Sequence, residues 1–143
     1  MFHVVDFQYF WISGCINSTS NSETPVYLSN NRSACCMKKR DKILHEAKSR
    51  LVAAFGDRIR DVILFGSRAW GKPHRWSDWD FVVVVRGEYD WPFRLAVWEV
   101  MADIDLEYDV FTQTLIVSEE ELKNTHRGYE PVFVKALAEG IYA

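Results

Sequence analysis

With 143 residues, 48% of them hydrophobic and 15% aromatic, the chain is long enough to bury one core and too apolar to stay disordered. Its net charge of −3 provides no global basic field for nucleic acid, so any anion site must be local. No apolar run approaches the roughly 18 residues that span a bilayer, so the expectation is a soluble single domain.

Composition changes sharply near residue 37. Before it lie all three cysteines, Cys15, Cys35 and Cys36, with only three charged side chains, Asp6, Glu23 and Arg32. The stretch "STSNSETPVYLSNN" is polar, as linkers are. Residues 1–36 therefore read as an N-terminal extension, either poorly ordered or a mis-assigned start with Met37 as initiator. The alternative is an ordered arm whose apolar end, "FQYFWI", packs on the domain. "ISGC" at 12–15 matches a lipoprotein cleavage site, but no Lys or Arg precedes Cys15, and Asp6 and Gln8 break the apolar segment. An odd cysteine count with a vicinal pair and no histidine cluster indicates neither a disulfide framework nor a zinc site, and the expected location is cytoplasmic.

From Lys38 the pattern becomes periodic. Leu44, Ala47, Leu51 and Phe55 mark the apolar stripe of a helix, and Gly56 stands where a helix end favours positive φ. Asp61–Phe65 reads as a short strand, followed at 67–71 by a turn or short helix halted by Gly71 and Pro73. Phe81–Val85 is continuous and β-branched, as in a central strand covered on both faces. "DWPFRLAVWEVMADID" predicts a second long helix with Pro92 in its first turn, and "LEYDVFTQTLIV" a return to strand. Ser118 and Glu121 form a capping box for a short helix over 119–124, and a last helix runs from about Pro131 to Glu139, ending at Gly140. The order predicts an α/β (α+β) fold: a small mixed sheet flanked by helices.

The chemistry concentrates in "GSRAWGKPHRWSDWD", residues 66–80. At a strand-to-helix turn, backbone N–H groups point outward unpaired, and Gly66 lets a phosphate approach closely. Ser67 adds a hydroxyl, and Arg68 a cation suited to phosphate oxygens. Alone, a Gly-Ser pair is more often a plain turn. Asp78 and Asp80, alternate residues at a strand start, share a face, and their repulsion is relieved by a cation between them. Hard carboxylate oxygens suit Mg²⁺, which completes its shell with water and substrate phosphates. Asp105, Glu107 and Asp109 alternate along what reads as the next strand, and Asp109, followed by Val110 and Phe111, is the candidate third acid. Lys72, His74 and Arg75 read as rim residues, Trp70 and Trp76 as packing beneath the loop rather than stacking on a base. His3, His45 and His126 carry no signal by position.

Taken together, an apolar strand, Gly66-Ser67, ten residues, then Asp78-Trp79-Asp80 before another apolar strand resembles the minimal nucleotidyltransferases of the DNA polymerase β superfamily. The resemblance covers about residue 40 to the end and implies a polymerase β-like nucleotidyltransferase domain over 37–143. It implies that Ser67 and the Gly66 backbone hold the triphosphate of an NTP, with Arg68 as a phosphate partner. It also implies that Asp78 and Asp80 bind two Mg²⁺ ions and that Asp109 completes the catalytic metal site. The implied reaction is in-line attack on the α-phosphorus with loss of pyrophosphate, ATP being the expected donor. Family members of this size lack the extra domain that larger relatives use to select a substrate, which favours a macromolecular acceptor. Many resemble the antitoxin of a two-gene module whose partner is a helical HEPN-type toxin. The alternative is a non-catalytic antitoxin that binds its partner on the same fold. An Asp-x-Asp glycosyltransferase would leave Gly66-Ser67 unexplained.

Overall fold

The computed structural model describes residues 37–71 and 73–143. The expectations about the N-terminal extension, the three cysteines, His3 and Lys72 fall outside them. Helix α1 spans Lys39–Phe55 and ends at Gly56, whose φ of 58° is the positive value its place in the sequence predicts. A single 3₁₀ turn leads into β1 (Ile59–Phe65), the short helix α2 (Gly66–Ala69) and, after the loop, β2 (Trp79–Val85). Helix α3 (Trp91–Tyr108), β3 (Thr112–Ser118), α4 (Glu119–Asn124), α5 (Pro131–Glu139) and a two-residue strand β4 (Ile141–Tyr142) complete the chain.

The sheet runs β3-β2-β1-β4. β2 pairs antiparallel with β1 and parallel with β3, so the valine run is central, as its lack of alternation predicts. Ile43, Leu44, Ala47 and Leu51 of α1, with Val97, Met101 and Ile104 of α3, cover one face over Val62, Leu64, Phe81 and Val83. Phe133 and Ala136 of α5 cover the other over Ile63, Val82, Val84 and Val117. The expected small mixed sheet flanked by helices is thus the observed architecture.

One boundary differs from the sequence reading, and it bears on the site. Asp105, Glu107 and Asp109 do not share a strand face: α3 continues through Tyr108 and Asp109 caps it in the left-handed region, φ 50° and ψ 60°. The strict polar–apolar alternation of "DIDLEYD" imitates a strand. Helical burial prevails because Val97, Met101 and Ile104 fill the core at i, i+4 and i+7, leaving Leu106 84% exposed. Arg50 of α1 pairs with Glu107, and Lys39 Nζ donates to the Tyr108 carbonyl at 3.0 Å, a cation at a helix C-terminus. Asp, with Asn, is among the few non-glycine residues that tolerate the turn taken by Asp109.

Candidate active site

Three elements meet at one end of the sheet. β1 ends at Phe65, paired with Asp80 at the start of β2, and Gly66 turns the chain into α2 with φ 74°. The Asp80 carboxylate lies directly over this turn: a Cβ at Gly66 would stand 2.4 Å from its Oδ2. Glycine is needed here both for the backbone angle and for the space. Asp80 is half-buried, and that burial, followed by the charge of Asp78, raises its carboxyl above the usual aspartate range. Asp78 stands one residue before β2 and is exposed. A cation placed between two such acids, one of them partly desolvated, would relieve their repulsion.

Arg68 lines the cleft and also braces the loop. Its Nε and Nη2 donate to the Ser77 carbonyl at 3.1 and 2.8 Å, and its guanidinium lies 5.1 Å from the Trp79 ring centroid. It therefore holds the backbone before Asp78 and packs on the side chain after it. Ser77 closes the loop: its Oγ accepts from the His74 N–H at 2.7 Å, and its own N–H donates to the His74 carbonyl at 3.0 Å. Sequence reasoning passed over Ser77, although a serine beside an aspartate at a loop end is a turn-forming residue. Ser67 is half-buried in the first turn of α2.

A cleft of about 710 Å³ borders this end, lined by Lys39, Arg68, Arg75, Trp76, Asp78 and Asp109 among others. It brings Asp109 and Asp78 to one cavity, with Asp80 outside the lining. Among the described residues no three His, Cys, Asp or Glu side chains converge as a metal-holding group. Asp109 comes from a helix cap, so the expected third acid of an adjacent strand is not in β3. The residue that β3 sets beside Asp80 is Gln113. Trp76 is 78% exposed on the cleft with Arg75 over its ring, whereas Trp70 is held against α5: its Nε1 donates to the Glu139 carbonyl at 3.1 Å and Lys135 covers its ring. His74 and Arg75 are exposed, and Arg75 lines the cleft.

The family model described as Polymerase beta, Nucleotidyltransferase matches residues 47–127, more than half of the chain. The chain belongs to the polymerase beta nucleotidyltransferase family. Within this nucleotidyltransferase domain the match runs from the middle of α1 past α4, so it includes Gly66, Ser67, Asp78 and Asp80. The solved structures it resembles include a toxin–antitoxin with AMP-PNP (19% identity, TM-score 0.47) and a mutant of the toxin–antitoxin MntA–HpeT (18% identity, TM-score 0.45). Each covers 73% of this chain and 72% of its own. No curated protein sequence matches the chain. Among the described residues no helix is long and apolar enough to cross a membrane.

Proposed function

We propose that this nucleotidyltransferase is Mg²⁺-dependent and transfers AMP from ATP to a hydroxyl of a partner protein, a helical HEPN-type toxin. The observation that carries the reading is the Asp78/Asp80 pair against the Gly66 turn, in a chain of this family. Asp78 and Asp80 would hold the ions, and ions bound there would neutralise the triphosphate and lower the pKa of the attacking hydroxyl.

The chain's own residues do the rest. Gly66 leaves room for the Asp80 carboxylate against the turn, and the Ser67 hydroxyl donates to phosphate oxygens. Arg68, through Ser77, fixes the backbone from which Asp78 projects. The acceptor oxygen forms a bond to the α-phosphorus as the bond to the bridging oxygen breaks, and pyrophosphate leaves with that electron pair. Positioning and charge neutralisation provide most of the acceleration. Asp78 and Trp76 are both exposed at the cleft, an opening that a protein side chain can enter.

Intact-mass analysis of the protein encoded beside this gene, after incubation with ATP and Mg²⁺, tests the proposal. The expected product carries one added adenylyl group, absent with Asp78→Ala. A second reading, a module that neutralises its partner by contact alone, is favoured by the lack of three converging acids among the described residues. It requires neutralisation to survive Asp78→Ala combined with Asp80→Ala.

A further inference from the structure

The register of the sheet carries an inference about the ion site that rests on the reading just given. Parallel pairing sets Asp80 beside Gln113, one step from Trp79 beside Thr112 and Phe81 beside Thr114. Residues alternate between the two faces along a strand. Val82 and Val84 of β2 and Leu115 and Val117 of β3 pack with α5, so Asp80 and Gln113 belong to that same face, at its uncovered end. The neighbour of Asp80 on the other side, Phe65 of β1, has no side-chain oxygen. Gln113 is exposed, free of the core, while Thr112 and Thr114 lie on the opposite face.

We propose that Gln113 is the third protein ligand of the ion site, its amide oxygen taking the place beside Asp80 that a third carboxylate would otherwise occupy. A glutamine carbonyl is a hard oxygen donor, and its two methylenes reach across the spacing of about 4.8 Å between strands. It adds a ligand without adding a charge. A third anion on this face would add to the repulsion between Asp78 and Asp80 whenever the site is empty. The protein thus presents a charge of about −2 to the ions rather than −3, and ion binding leans more heavily on the phosphates of the nucleotide.

The test is a titration of the full chain with Mn²⁺ in the presence of a non-hydrolysable ATP analogue, read by electron paramagnetic resonance. Gln113→Ala should weaken Mn²⁺ binding about fivefold and Gln113→Glu strengthen it about tenfold, as affinity follows ligand count and charge. Without metal, Gln113→Ala should keep the wild-type melting temperature because the residue is exposed, whereas Gln113→Glu should melt lower at neutral pH because it adds a third anion to the empty site. Unchanged Mn²⁺ affinity in both variants, with Asp80→Asn abolishing it, would overturn the role of Gln113 and leave the two-carboxylate reading standing. Mn²⁺ affinity indifferent to Asp80→Asn as well would remove both.

Discussion

At residue scale, the site depends on a missing methyl group. The Asp80 carboxylate occupies the space a Cβ at position 66 would need, in a turn whose φ already disfavours any side chain. Gly66→Ala should cost about 1–2 kcal/mol from the backbone angle alone, plus the displacement of the carboxylate. Urea denaturation should show the stability loss and Mn²⁺ titration a loss of binding. Asp80 has the opposite profile. Because burial first, and Asp78 second, raise its folded-state pKa, the native state holds this proton more tightly than the unfolded chain. Stability from this group is greatest below the ordinary aspartate value of about 3.9 and falls as pH rises through the raised one. Asp80→Asn should therefore melt at a higher temperature than wild type at pH 7, with the difference vanishing in acid. A thermal scan across pH checks both the direction and the window.

At the scale of elements, α3 guards the open edge of the sheet. The Thr112 N–H donates to Asp105 Oδ1 at 3.0 Å, and Trp98 Nε1 donates to the Thr114 carbonyl at 3.2 Å. These side chains satisfy backbone groups of β3, whose only strand partner among the described residues is β2. Asp105→Ala should cost about 1–2 kcal/mol in a urea melt, and combined with Trp98→Phe should promote association on a sizing column. Asp105, read from sequence as a strand residue, turns out to be the clasp between helix and strand. Its role was hidden because the alternation at 103–109 fits a strand equally well, and only long-range burial of Ile104 decides between them. By contrast, Ser118 and Glu121 form the reciprocal capping box that their spacing announces, since a cap is a local interaction. The Ser118 hydroxyl accepts from the Glu121 N–H at 3.0 Å, and Ser118→Ala should cost about 1 kcal/mol by the same measurement.

For the molecule as a whole, the two helical layers are unequal. α1 and α3 bury one face along its length, whereas α5 leaves the end with Asp80 and Gln113 uncovered. The family was legible in the sequence because Gly66, Ser67, Asp78 and Asp80 lie within one local loop. That Gln113 is the neighbour of Asp80 on β3 was not, because it depends on pairing across the sheet. Nor was β4, whose two residues become a strand only by pairing with Ile63 and Leu64. The measurement that bears most directly on the central claim is transfer of label from ATP to the purified protein and the product of its neighbouring gene. Label at the α-phosphorus should become protein-bound only with a divalent cation, label at the γ-phosphorus should not, and Asp80→Ala should abolish the signal. Retained α-labelling in Asp80→Ala, or transfer of the γ-label instead, would contradict the account.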